Sequence, residues 1–148
     1  MLVKKIKSLV GENLKGKSIG LLGLTFKPNT DDLRESPALD VARMLLEEKA
    51  NVSAYDPLGM PETAKIIPEI NMAKDAYELA NGCDVLVVCT EWNEFVHLDL
   101  EKVHSAMDQP NVVDGRNIYD PETMYGMGFN YIGIGRGYGP DGEPVNGK

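Results

Sequence analysis

Apolar residues at Leu2, Val3, Ile6, Leu9 and Val10 recur at the spacing of one helix face, and Gly11 and Gly16 close the pattern. A helix over about residues 2–12 follows, and its start without a capping residue predicts further sequence upstream. Lys17-Ser18-Ile19-Gly20-Leu21-Leu22 reads as a first strand, short and apolar enough for the middle of a sheet. Ser36-Pro37 then offers a cap and a first-turn proline, and Leu39, Val41, Ala42, Leu45 and Leu46 supply the buried stripe of a second helix. Asn51 to Tyr55 is a second strand that ends in Asp56-Pro57.

Further along, residues 60–66 and 74–81 read as short helices around a poorly patterned stretch, with Asp75 near the start of the second. Asp84-Val85-Leu86-Val87-Val88-Cys89 is the most apolar strand of the chain. A turn at Trp92 to Phe95, a helix from Asp99 to Met107, a strand at 111–114, a helical turn at 121–125 and a strand at 129–132 complete the series. Strands alternating with helices predict a parallel sheet with right-handed crossovers. The fold class expected is therefore α/β, a Rossmann-like three-layer αβα domain with a mainly parallel sheet of five or six strands.

Composition narrows the picture. At 148 residues one domain is the expectation, since domains run to about 100–200 residues. Fifteen Lys and Arg against 23 Asp and Glu give a net charge of −8, a field that repels nucleic acid. No window is long and apolar enough for a signal peptide or a membrane span, which predicts no membrane association and a cytoplasmic location. Cys83 and Cys89 match no zinc spacing, so the expectation is two inert thiols in a reducing compartment, with no metal site. From Gly133 to Lys148, six glycines and two prolines in 16 residues predict a flexible tail over 136–148.

The densest chemistry lies between the first strand and the second helix, where open α/β sheets bind nucleotides. Gly20-Leu21-Leu22-Gly23 is not a G-x-G-x-x-G fingerprint, but Phe26-Lys27 is followed seven residues later by Arg34, with Thr30-Asp31-Asp32 between. As chemistry, Lys27 is a point charge and Arg34 a rigid fork for a pyrophosphate, oriented by the carboxylates. As plain structure, the same residues are a solvated loop with surface ion pairs worth little. Asp114-Gly115-Arg116 ends the fourth expected strand, and in a parallel sheet that end shares an edge with Lys27. The alternative is that Arg116 simply pairs with Asp114 or Asp120.

Gly23 to Asp40 (Gly-Leu-Thr-Phe-Lys-Pro-Asn-Thr-Asp-Asp-Leu-Arg-Glu-Ser-Pro-Ala-Leu-Asp), Tyr55-Asp56-Pro57, Ala80-Asn81-Gly82-Cys83-Asp84, Thr90-Glu91-Trp92 and Asp114-Gly115-Arg116-Asn117 carry a resemblance. Over about residues 14–135 the chain resembles the C-terminal, UDP-binding domain of the UDP-glucose/GDP-mannose dehydrogenase family. That resemblance implies enzymes that oxidise the C6 hydroxyl of a nucleotide sugar to a carboxylate with two NAD molecules. It implies Phe26, Lys27 and Arg116 as contacts to a UDP-sugar or GDP-sugar, and Arg34 as an arginine reaching NAD held mainly by another domain. It also implies residues 1–13 as the end of a connecting helix from a central domain, 14–135 as the nucleotide-sugar-binding domain, and a homo-oligomeric intact enzyme.

The family's cysteine nucleophile belongs to a motif upstream of this domain, so no catalytic residue is expected here and the chain alone is expected to be inactive. Cys83 beside Asp84 is set for a raised pKa, the wrong direction for a nucleophile. His97 and His104 have no carboxylate or serine placed to make either a base. Asp56 stands where dinucleotide folds put a ribose acceptor, with a turn-capping role as the alternative, and Trp92 is a candidate to stack on a base or to be buried at the sheet edge. Two competing functions remain at this point: a non-catalytic interaction or regulatory module that kept the fold without the ligand, and a phosphoacceptor domain using Asp31-Asp32 and Thr90.

Overall fold

Val85-Leu86-Val87-Val88 has no polar position, and in the computed structural model, which describes residues 2–134, all four are buried near the middle of the sheet. The elements run α1 (Leu2–Val10), β1 (Ser18–Leu22), α2 (Pro37–Glu47), β2 (Asn51–Tyr55), α3 (Met60–Ile66), β3 (Asn71–Met72), α4 (Ala76–Ala80), β4 (Val85–Val88), α5 (Asn93–Val96), α6 (Leu100–Ala106), β5 (Asn111–Asp114), α7 (Pro121–Gly126) and β6 (Asn130–Gly133). One six-stranded sheet has the order β3-β2-β1-β4-β5-β6, and every pairing is parallel. This is the doubly wound Rossmann-like arrangement, and its order reverses direction between β1 and β4. The six strands include β3, a two-residue strand inside the stretch whose pattern was poor.

Strand residues alternate between two cores. Ile19, Leu21, Val52, Ala54, Val85, Val87 and Val113 face α1 and α2, while Leu22, Leu86, Val88, Val112 and Tyr131 face α4, α6 and α7. Helix α1 ends at Val10 with its apolar pattern, short of the expected residue 12, and it buries Val3 and Ile6 against β4, β5 and α2. Ser36 precedes α2 as expected, but its hydroxyl caps nothing: it donates to the Leu24 carbonyl at 2.5 Å and ties the helix start back to the β1 exit. Asp75 does cap α4, accepting from the Glu78 N–H. The expectation for residues 136–148 lies outside the described residues. Among the described residues, no helix is long and apolar enough to cross a membrane, and no group of His, Cys, Asp or Glu is placed to hold a metal ion.

Candidate functional site

Because all six strands are parallel, the loops after β1, β2, β4 and β5 leave from one edge of the sheet. Lys27, Asp56, Glu91 and Arg116 lie in those four loops. The β1 loop begins at Gly23, whose φ of +99° suits glycine alone, and a Cβ there would stand 2.5 Å from the Thr90 side chain. That close approach lets the β1 and β4 loops lock together. The Thr90 hydroxyl donates to the Thr25 carbonyl at 2.6 Å, and the Thr25 hydroxyl donates to the Lys27 carbonyl at 2.9 Å.

Asp56 secures the same edge from β2. It is fully buried, and its Oδ2 accepts from the Leu24 N–H at 2.7 Å, the Thr25 N–H at 3.2 Å and the Trp92 indole N–H at 3.1 Å. Oδ1 takes the N–H groups of Leu58 and Gly59 at 2.8 and 2.7 Å. A carboxylate so fully engaged has nothing to offer a ribose, so of its two sequence readings the structure favours the one that caps turns. Trp92 is buried with its N–H turned inward, which removes it from stacking on a base.

Arg116 follows β5 and pairs with neither of the carboxylates nearest in sequence. Its Nη2 meets Glu91 Oε2 at 2.7 Å, while Asp114 accepts only the backbone N–H of Arg116 and is otherwise held by the Tyr119 N–H and the Tyr131 hydroxyl. Burial pushes the Glu91 carboxyl up, but hydrogen bonds from Arg116 and its own N–H, with the Arg116 charge, leave it below the usual carboxylate range. Glu91 Oε1 is buried and has no hydrogen-bond partner. Glu91 was not singled out by sequence reasoning as a site residue. The available signal was its place between Thr90 and Trp92, both held by neighbouring loops.

Lys27 and Arg34 share a second cluster. Arg34 grips Asp32 with Nε and Nη2 at 3.0 and 2.9 Å, and its side chain is 88% exposed. Hydrogen bonds from the Arg34 side chain and backbone, then the charges of Arg34 and Lys27, hold the Asp32 carboxyl down at about 2. Lys27 is exposed and forms no salt bridge among the described residues, and Phe26 beside it is 45% exposed. Thus Lys27 and Arg116 come to one edge through a continuous path: Lys27 to Thr25, Thr25 to Thr90, and Thr90 through its neighbour Glu91 to Arg116.

The remaining candidates lie elsewhere or are inert. Burial pushes the Cys83 thiol to about 12, with Asp84 and Asp108 adding to it, and burial takes Cys89 to about 12 against the pull of Arg116. His97 contacts the Asn93 carbonyl, and His104 packs edge-on against Phe129. Thr90 and Asp32 are both committed to partners, which leaves a phosphoacceptor reading only the exposed Asp31 of its three groups. A resident dinucleotide does not fit this domain: the first turn carries no G-x-G-x-x-G, Gly23 is closed over by Thr90, and Asp56 is fully engaged.

Comparison with known proteins bears on the family and the fold. Residues 20–121 match the profile described as "UDP-glucose/GDP-mannose dehydrogenase family, UDP binding domain". The chain is 46% identical over 133 residues to the UDP-glucose 6-dehydrogenase of Rhizobium meliloti (strain 1021), covering 90% of this chain and 30% of that protein. It is 40% identical over 136 residues to UDP-glucose 6-dehydrogenase TuaD of Bacillus subtilis (strain 168), covering 91% and 29%. A solved UDP-glucose dehydrogenase from the hyperthermophilic archaeon Pyrobaculum islandicum superposes with a TM-score of 0.69 at 34% identity, over 79% of this chain and 26% of that one. The chain therefore spans 30% or less of the length of these relatives. With the profile covering most of its length, the chain belongs to the UDP-glucose/GDP-mannose dehydrogenase family, of which it is the UDP binding domain.

Proposed function

We propose that this domain binds the diphosphate of a UDP-sugar at the carboxyl edge of the sheet, with Lys27 and Arg116 on phosphate or sugar oxygens and Phe26 forming the apolar wall beside them. The observation that carries the reading is the linkage from the Lys27 backbone to Arg116, in which hydrogen bonds join Lys27 to Thr25, Thr25 to Thr90 and Glu91 to Arg116, and the chain joins Thr90 to Glu91. Two cations presented at one rim are suited to a ligand with two adjacent anionic groups. UDP-glucose is the first candidate, because the relatives at 46% and 40% identity are UDP-glucose 6-dehydrogenases.

In this reading the domain serves an NAD-dependent oxidation of the sugar's C6 hydroxyl whose reacting groups and cofactor are held elsewhere in the protein. Arg34 presents exposed guanidinium donors to that cofactor. This domain's own part is to bind and orient the nucleotide. Neither buried thiol is suited to act as a nucleophile and the first turn does not suit a resident dinucleotide, so this reading assigns no hydride transfer to the 148-residue chain by itself.

Isothermal titration of the chain with UDP, UDP-glucose and GDP-mannose tests the proposal. Heat with UDP and UDP-glucose supports it. No heat with any of the three overturns it in favour of an interaction or regulatory module.

A further inference from the structure

We infer that Glu91 is a positioning residue, which sets where Arg116 stands relative to Lys27 so that both reach one diphosphate; the inference rests on the nucleotide-sugar reading above. Two features of the fold carry it. The residues on either side of Glu91 are each pinned to a different strand's loop: Thr90 donates to the Thr25 carbonyl and Trp92 donates to Asp56. The backbone of Glu91 is therefore fixed with respect to the β1 and β2 loops before its side chain does anything.

From that fixed point the carboxylate reaches across to the β5 loop and takes Arg116 at 2.7 Å. An arginine on a loop has several rotatable bonds, and a single charge-assisted contact removes most of that freedom in advance of the ligand. The second feature is the orphaned Oε1, buried with no partner. A carboxylate free to choose its own geometry would offer both oxygens to the guanidinium fork, or turn the spare one to water. Glu91 does neither, so its placement follows from the pinned backbone and Arg116 comes to it. Glu91 uses one of the five guanidinium N–H groups, and four remain for other acceptors.

The test is a double-mutant cycle on the affinity for UDP, measured calorimetrically with E91Q, R116A, the double variant and the parent. E91Q is expected to weaken binding about tenfold, the scale of one charge-assisted hydrogen bond. The double variant is expected to bind no more weakly than R116A alone, because the effect of Glu91 passes through Arg116. Glu91→Asp, which keeps the carboxylate, should recover part of the loss. Parent-like or tighter binding by E91Q overturns the inference, as does an equal loss in the R116A background, which would mark a general structural role. A parent chain that binds no UDP overturns the proposed function itself, a different result from any of these.

Discussion

The indole N–H of Trp92 donates to Asp56 Oδ2 at 3.1 Å across 36 positions of sequence, joining the loop after β4 to the end of β2 beneath the candidate site. The same carboxylate takes backbone N–H groups of the β1 loop and of its own turn. Four backbone amides and one ring N–H thus converge on a single buried side chain.

Asp56→Ala removes that acceptor and leaves buried donors without partners, each worth about 1–3 kcal/mol. Allowing for relaxation, the expected loss is about 3–5 kcal/mol, read as a lower urea midpoint. Trp92 is the single tryptophan, so its fluorescence follows this locus directly. An unchanged midpoint would show that the carboxylate does not hold the edge together.

Gly23→Ala places a methyl group 2.5 Å from the Thr90 side chain at a φ of +99°. Backbone strain and overpacking each cost about 1–3 kcal/mol, so a loss of about 2–5 kcal/mol is expected by chemical denaturation. Affinity for UDP should fall as well, since the Thr90 to Thr25 contact is displaced. Full stability in the variant would show that the β1 and β4 loops have slack that the distances deny.

Lys27→Ala should weaken UDP binding about tenfold or more, because a charge-assisted hydrogen bond contributes about 1.5–3 kcal/mol. Its folding stability should not change, as the exposed ammonium forms no salt bridge among the described residues. Equal affinity in variant and parent would remove Lys27 from the site.

Both thiols are held protonated by burial, with folded values of about 12 against an ordinary 9.0. A group whose folded pKa is raised contributes stability that is complete below its unfolded pKa and is lost as pH climbs toward the folded one. The urea midpoint should therefore decline between pH 9 and about 12. At pH 8 a thiol reagent should label Cys83 and Cys89 only as the chain unfolds, and rapid labelling of the native protein would contradict their burial.

Much of the architecture is legible in the sequence because apolar spacing reports it. The unbroken run at Val85 to Val88 is a buried strand, and Asp75 caps the helix that follows it. Strand β3 escapes because two residues, Asn71 and Met72, cannot show an alternation, and it exists only through its pairing with Ser53 and Ala54. The turn-capping part of Asp56, its hold on the N–H groups at 58 and 59, is local and legible, but its donors at 24, 25 and 92 escape because no local pattern links them. Arg116 is visible as a rim cation, but its partner is chosen by the neighbouring strand, so Glu91 emerges only once β4 and β5 lie side by side.

A Cβ at Gly115 would stand 3.2 Å from Leu2 and 2.6 Å from the Val88 carbonyl, so α1 touches bare backbone one residue before Arg116. Any side chain at 115 would have to displace the first helix or the β4 carbonyl, so the bare glycine is what lets the amino-terminal segment sit against the turn that presents the arginine. The seat of that charge is thus built in part by a segment more than a hundred positions away.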